Sequence, residues 1–368
     1  MKFINVVGAR PNFMKIAPLQ RIFNKSSKFI EYKLVHTGQH YDYNMSDSFF
    51  RDLGIRKPDY NLGCGSGLHG EQTGRIMIEF EKVLLHEKPK IVIVAGDVNS
   101  TLACSLVAVK LGIKVAHIEA GCRSFDRTMP EEINRLLTDA VSDYLFAIDQ
   151  ISACNLKREG ISEKKIYIVG DIMIDSLLFA LKKIKARDDV LKRYHLKKKQ
   201  YGVITMHRPS NVDNSDTLIQ ILNIFDEIQK EIPLVFPVHP RTLKQIKTNS
   251  EMKLLLNNMK NMIATEPLGY FEFVQLFTNA KFVLTDSGSL QQETTFLNIP
   301  CLTMRYNTER PVTITKGTNT LVGNSEYKIL KYFNQIMNNR YKQAERIPLW
   351  DGQTAARIVK ILLAKDKK

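Results

Sequence analysis

Short apolar runs rich in β-branched residues recur along the chain, with helix-period patterns between them. In the first half they fall at residues 3–7, 33–36, 91–95, 115–118, 144–147 and 166–169. The second half repeats the rhythm at 202–206, 234–238, 262–264, 282–284 and 301–304, with a shorter run at 320–322. Strands that alternate with helices form parallel sheets, so the pattern predicts an α/β chain of two Rossmann-like, doubly wound domains. Residues 1–171 make the first domain and 201–345 the second; the polar, basic stretch 172–200 reads as a helical linker, and 346–368 as a C-terminal helix with a basic tail. That last helix, at 352–363, could pack on either domain.

Polar residues gather where the predicted strands end. They are Arg10, then Gln39 and His40, then Asp97 and Asn99, then Glu119; the second half places His207 and Arg208, His239 and Arg241, Asp286 and Ser287, and Arg305 in the same way. Ligands of open α/β sheets bind outside the carboxyl ends of the strands. Two such edges facing each other predict a single site in a cleft shared by the domains.

Composition narrows the class. The chain has 368 residues, 44% hydrophobic and 25% charged, which is ordinary globular usage and excludes disordered, collagen-like and disulfide-scaffold chains. Its apolar runs are far shorter than the ~20 residues that cross a bilayer, and Met1 leads into a strand pattern with no basic leader, so a soluble, cytoplasmic protein without a membrane partner is expected. Five scattered cysteines with no C-x-x-C pair argue against structural zinc and a disulfide framework. The net charge of +15 raises the question of nucleic acid. Its excess sits in residues 182–199 and at the C-terminus without interleaved aromatics, which predicts solvated helix faces rather than a base-stacking surface. A preference for small anions stays open.

Gly65-Ser66-Gly67-Leu68-His69-Gly70 matches the dinucleotide fingerprint, but the preceding Pro58–Leu62 is short and polar where that motif needs a buried strand; it reads as a glycine loop before a helix, and no redox cofactor is expected. Walker A, His-Glu-x-x-His and Gly-x-Ser-x-Gly patterns are absent, which removes P-loop hydrolysis, zinc proteolysis and α/β-hydrolase chemistry. Gly8-Ala9-Arg10-Pro11 through Lys15 brings two cations to a helix start, an anion-binding arrangement. Thr285-Asp286-Ser287-Gly288 repeats the geometry in the second half, with Glu293 further along the helix to accept from ribose hydroxyls; a plainly capped helix fits the same residues. Asp97, Glu119, Glu131 and Glu132 supply carboxylates suited to acid and base work, although Pro130-Glu131-Glu132 is also a common helix beginning. His207-Arg208-Pro209 and His239-Pro240-Arg241 offer donors to a diphosphate.

Taken in order, Gly8-Ala9-Arg10-Pro11, Gly96-Asp97, His117-Ile118-Glu119-Ala120-Gly121, Pro130-Glu131-Glu132-Ile133-Asn134-Arg135, Met206-His207-Arg208, Pro237-Val238-His239, Thr285-Asp286-Ser287-Gly288 and Thr308-Glu309-Arg310-Pro311 resemble the non-hydrolysing UDP-N-acetylglucosamine 2-epimerases across nearly the whole chain. The resemblance implies a GT-B fold, a homodimer, a place in cell-surface polysaccharide biosynthesis, and interconversion of UDP-N-acetylglucosamine with UDP-N-acetylmannosamine by elimination and re-addition of UDP, without cofactor or metal. It implies acid/base roles for Asp97, Glu119 and Glu131, with His207 assisting at the diphosphate. Arg10, Lys15, Arg208, His239, Ser287, Gly288, Glu293 and Arg310 would hold UDP.

Three departures stand out. Gly288-Ser289-Leu290-Gln291-Gln292-Glu293 replaces the commoner Gly-Gly-Ile-Gln-Glu-Glu, with the loss of one charge. Tyr41-Asp42-Tyr43-Asn44 follows Gln39-His40 where members activated by a second substrate molecule carry Arg-Glu-Met, so the resemblance does not extend to that activation. Gln72-Thr73-Gly74-Arg75 is similar to epimerases of UDP-2,3-diacetamido-glucuronic acid, whereas Glu309-Arg310-Pro311 favours UDP-N-acetylglucosamine. A GT-B glycosyltransferase and a non-enzymatic polyanion-binding protein are the competing classes, since one fold hosts many activities.

Overall fold

The computed structural model describes residues 1–25, 30–39, 52–185 and 189–365. His40 and the 41–44 segment therefore lie outside the described residues, as does the side chain of Arg10. By internal packing the chain forms two units, Met1–Phe179 with Pro348–Lys368, and Ala180–Ile347.

The first unit is built on seven parallel strands: β1 (Lys2–Val7), β2 (Glu31–His36), β3 (Tyr60–Asn61), β4 (Ile91–Ala95), β5 (Lys114–Ala120), β6 (Tyr144–Ala147) and β7 (Ile166–Ile168), in the spatial order 3-2-1-4-5-6-7. Covered on both faces, β4 reads Ile-Val-Ile-Val-Ala and is buried throughout, as a central parallel strand requires. Burial of each such Ile or Val contributes about 1.5–3 kcal/mol. The helices that matter for the site are α1 (Arg10–Lys25), α2 (His69–Glu87), α3 (Asn99–Lys110) and α4 (Pro130–Val141). What precedes the glycine loop is a two-residue, solvent-facing edge strand, β3, and not the buried strand that a dinucleotide fingerprint requires.

The basic stretch opens as core. In α5 (Ile172–Ile184), Ile172, Met173, Ile174 and Leu177 are buried, while Lys182 and Lys183 are exposed. The division of the two units at 179/180 falls inside this helix. Asp175 on α5 accepts from the N–H groups of Thr354 (3.2 Å) and Ala355 (2.9 Å), capping the C-terminal helix and attaching it to the first unit. Burial outweighs those donors and pushes the Asp175 carboxyl above its ordinary range.

The second unit holds β8 (Gly202–Thr205), β9 (Leu234–Pro237), β10 (Met262–Thr265), β11 (Phe282–Thr285), β12 (Cys301–Thr303) and β13 (Asn319–Leu321), all parallel in the order 10-9-8-11-12-13. Phe225, Phe236, Phe282 and Phe333 lie in its core. A Cβ on Gly202 would come within 2.4 Å of the Phe282 ring, so β8 and β11 pack as they do because this strand starts with glycine. Each sheet reverses its strand order once, at β1/β4 and at β8/β11, where open α/β sheets bind ligands.

All five cysteines are free thiols. No helix among the described residues is long and apolar enough to cross a membrane.

Candidate active site

At the first switch point β1 runs through Gly8 and Ala9 into α1. Asn12 stabilises this turn, its Oδ1 accepting from Gly8 N–H (3.1 Å) and Ala9 N–H (2.9 Å) while its Nδ2 donates to Ala95 O (2.7 Å). A Cβ on Gly8 would meet Ser100 Oγ at 2.1 Å, so α3 approaches β1 this closely only over glycine. One turn into α1, the Lys15 ammonium pairs with the Glu119 carboxylate at the end of β5, and both side chains are about 95% buried, with 6% and 5% exposed. Glu119 has φ +74° at an irregularity in the β5–β6 register, a left-handed conformation that costs a non-glycine residue about 1–2 kcal/mol. Gly96, at φ +72°, leaves room beside them: a Cβ there would be 2.7 Å from Lys15 Nζ and 3.6 Å from Glu119 Oε2.

Asp97 follows at the end of β4. It pairs with Arg135 of α4, and its main-chain oxygen accepts from Asn134 Nδ2 (2.9 Å). Arg135 is held in turn by Glu132, from Nε at 2.8 Å and Nη2 at 2.6 Å. Glu132 also accepts from Ser124 N–H, Ser124 Oγ–H and Phe125 N–H. Burial works against its charge, but the Ser124 and Phe125 N–H groups and the Arg135 guanidinium prevail and hold it below the usual carboxylate range. Glu132 is therefore a structural anion, whereas its neighbour Glu131 is half-buried and has no hydrogen bond or ion pair among the described residues.

Behind β4 and β5 lies a fully buried network. His117 Nδ1 is 2.6 Å from Asp139 Oδ1 of α4 and His117 Nε2 is 2.8 Å from Gly96 O. Asp139 Oδ2 accepts from Gly121 N–H (3.0 Å) and from Arg123 Nη2 (2.7 Å). Despite burial, these partners keep the Asp139 carboxyl below its ordinary range.

At the second switch point Asp286, buried at the end of β11, accepts through Oδ2 from the main-chain N–H of His207 (2.9 Å) and Arg208 (2.8 Å) and from Asn211 Nδ2 (3.1 Å). Its Oδ1 lies 2.9 Å from His207 Nδ1, a charge contact whose angle falls short of a hydrogen bond. Burial opposes the Asp286 charge, yet His207 and the two N–H groups hold its pKa down. The His207 ring sits 5.3 Å from that of His239, whose Nδ1 accepts from Arg241 N–H (3.2 Å), which leaves Nε2 as the donor of a neutral His239 ring. The half-buried Arg208 guanidinium has no partner among the described residues.

Helix α6 (Gly288–Phe296) starts beside Asp286. Ser287 occupies its N-cap without capping it: Ser287 Oγ contacts Ser289 Oγ at 3.2 Å instead. The expectation of an ordinary capped helix thus fails, and the first N–H groups keep their anion-binding capacity. A Cβ on Gly288 would stand 3.3 Å from Arg310 Nη1, which places that cation at the helix start. Arg310 is 3.6 Å from Glu309 Oε2, and Glu309 is bidentate with Arg305 at 3.0 and 2.7 Å. Glu293 is buried and accepts from Tyr270 OH (3.3 Å). The departure at Gln292 is fully buried, where an added charge would have needed its own partner.

The structure therefore gathers Lys15, Asp97 and Glu119 in the first unit, and His207, Arg208, His239, Ser287, Gly288, Glu293 and Arg310 in the second. Sequence reasoning missed Arg135, His117 and Asp139 as partners of these groups. Arg135 carried a usable signal, standing three residues after Glu132 on one helix; Asp139 continues that face by another turn.

The family described as UDP-N-acetylglucosamine 2-epimerase matches residues 23–363. A protein of that name from Methanocaldococcus jannaschii is 45% identical over 366 residues, covering 98% of this chain and 99% of its own. A Pseudomonas aeruginosa protein named UDP-2,3-diacetamido-2,3-dideoxy-D-glucuronate 2-epimerase is 40% identical, with 98% and 99% covered. The crystal structure of the M. jannaschii UDP-GlcNAc 2-epimerase in complex with UDP-GlcNAc and UDP matches with a TM-score of 0.91 at 44% identity, over 99% of this chain and 100% of that one. Two doubly wound parallel sheets, the GT-B class of unit, thus come with a family match over residues 23–363 and with relatives at 40–45% identity matched over nearly their whole length, and the chain belongs to the UDP-N-acetylglucosamine 2-epimerase family.

Proposed function

We propose that this enzyme is an isomerase that interconverts UDP-N-acetylglucosamine and UDP-N-acetylmannosamine. The observation that carries the reading is the pair of carboxylates at adjacent strand ends, Asp97 just after β4 and Glu119 on β5, each facing its own cation, Arg135 and Lys15. C2 of the sugar is not next to a carbonyl, so its proton cannot be removed and returned by simple enolisation. In the elimination a carboxylate takes the C2 proton, the C1–O bond breaks with its electron pair leaving on UDP, and a C1=C2 bond forms, giving 2-acetamidoglucal. Re-addition reverses these changes with the proton delivered to the other face of C2. Two faces ask for more than one acid/base group, and Asp97, Glu119 and Glu131 fill these roles. His207 assists at the departing diphosphate. Arg10, Arg208, His239, Ser287, Gly288, Glu293 and Arg310 hold UDP, and Lys15 serves both the nucleotide and Glu119.

Proton NMR of the protein with UDP-N-acetylglucosamine in deuterated water tests this. Deuterium should enter C2 as the manno epimer forms; epimer without deuterium at C2 would sink the mechanism. A second reading, epimerisation of UDP-2,3-diacetamido-glucuronic acid, is favoured by the P. aeruginosa relative and the Gln72–Arg75 run. In this chain, however, Gln72 donates to Gln39 O and Gly65 O, and Arg75 donates to Ser66 O and pairs with Glu71, which are structural engagements. The same NMR assay with both nucleotides decides: kcat/KM is expected to be higher for UDP-N-acetylglucosamine.

The enzyme acts as a homodimer in this reading. Ile78 and Leu85 on α2 support it, being 60% and 57% exposed one heptad apart on a helix of the first unit. Sedimentation at micromolar concentration should give a dimer mass, and a purely monomeric boundary would refute it. Five free thiols fit a reducing cytoplasm.

A further inference from the structure

We infer that His117, held by Asp139, is a positioning residue that sets Asp97 and Glu119 in register, an inference that rests on the acid/base roles proposed above. Both ring nitrogens of His117 face polar partners, Asp139 Oδ1 at 2.6 Å and Gly96 O at 2.8 Å, so the buried ring clamps α4 to the end of β4. What it grips are the two backbone positions that aim the reacting carboxylates. Gly96 precedes Asp97 directly, and Glu119 lies two residues beyond His117 on the same strand. Asp139, the other half of the clamp, takes the N–H of Gly121, two residues beyond Glu119.

Gly96, Glu119 and Gly121 all have positive φ, at +72°, +74° and +78°. For Glu119 this is a conformation that L residues rarely adopt and that persists only where the surroundings over-determine it. The clamp supplies that constraint: one buried imidazole fixes the carbonyl on the β4 side, and its carboxylate partner fixes the N–H on the β5 side. Arg123 and Glu159 close the far end, since Arg123 donates to Glu159 at 2.8 and 2.6 Å while its Nη2 also reaches Asp139. These groups bond to the backbone beside Asp97 and Glu119, so they act through the carboxylates they orient.

Three variants separate this role from general stability. Asp139→Asn keeps the geometry with neutral groups, because its amide can donate to His117 Nδ1 while its carbonyl accepts from Gly121 N–H. His117→Leu and Asp139→Ala remove the clamp. A misplacement of about 1 Å in a reacting group costs about 100-fold, so His117→Leu and Asp139→Ala should lose at least about 100-fold in kcat with KM and the UDP dissociation constant within about threefold, while Asp139→Asn loses no more than about tenfold. Amide hydrogen exchange gives a readout that needs no substrate. The amides of Gly96 and Gly121 should lose protection in His117→Leu and Asp139→Ala and keep it in Asp139→Asn. Unchanged protection at both glycines in His117→Leu overturns the inference whatever the substrate proves to be. So does parental kcat in that variant, or a parallel loss of kcat, UDP affinity and melting temperature in all three. Failure of the parental enzyme to exchange deuterium at C2 would instead strike the proposed function and leave the exchange result to judge the clamp.

Discussion

Glu119→Gln is expected to lower kcat for epimerisation by about 10²–10⁴-fold, the usual reach of a positioned acid or base, while UDP still binds. Glutamine keeps the shape and one acceptor oxygen but cannot carry a proton to or from C2. The position leaves no room for relocation, since Glu119 is held at positive φ against a buried ammonium. Removing one partner of a buried ion pair outright costs about 3–5 kcal/mol, and an amide that still accepts from Lys15 should cost less. A lowered melting temperature is therefore expected alongside the lost turnover, and the two effects can be separated. Lys15→Met combined with Glu119→Gln removes the orphaned charge, so it should recover stability but not activity. Turnover is read from C2 deuterium incorporation and stability from thermal unfolding. A Glu119→Gln enzyme working within tenfold of the parent would take Glu119 out of the chemistry.

Much of this arrangement was legible in the order of residues, and the remainder was hidden for physical reasons. Apolar runs such as Ile91–Ala95 announce central parallel strands because both faces are covered, and polar residues at their ends fall at the switch points because helices and ligands meet there. The two-residue β3 escaped because so short an edge strand has no period to read. Pairings across long sequence distances were invisible: Lys15 and Glu119 are 104 positions apart, and His207 and Asp286 meet through contacts spanning 79. Lys15, expected only at the nucleotide, is accordingly found on a carboxylate. Composition also misled at α5, where lysines near the end of the helix obscured the four buried apolar residues that begin it. Ser287 illustrates the converse, since its type suits an N-cap while its hydroxyl bonds elsewhere.

Arg310→Ala is expected to weaken UDP binding by about 10–100-fold, because a hydrogen bond to a charged group is worth about 1.5–3 kcal/mol and each 1.4 kcal/mol is tenfold in affinity. Its guanidinium stands over the Gly288 end of α6, where helix N–H groups and a cation together suit a diphosphate. The loss should be local, since Glu309 keeps its bidentate partner Arg305 when Arg310 is removed. Ser287→Ala deletes a single neutral donor and should cost about 2–10-fold on the same scale. Glu293→Ala removes a charged acceptor for ribose hydroxyls and should approach the arginine variant, but Glu293 also receives Tyr270 OH, so some of its effect could come from a loosened helix. Tyr270→Phe controls for that, because it deletes the internal donor and leaves the carboxylate in place. Calorimetric titration with UDP on these four variants and on Glu119→Gln separates the two units by what they lose. Glu119→Gln should bind UDP like the parent, whereas Arg310→Ala, Ser287→Ala and Glu293→Ala should not. Parental affinity in both Glu293→Ala and Arg310→Ala would remove the β11–α6 turn from the nucleotide site, leaving its uncapped helix start and converging cations without a ligand.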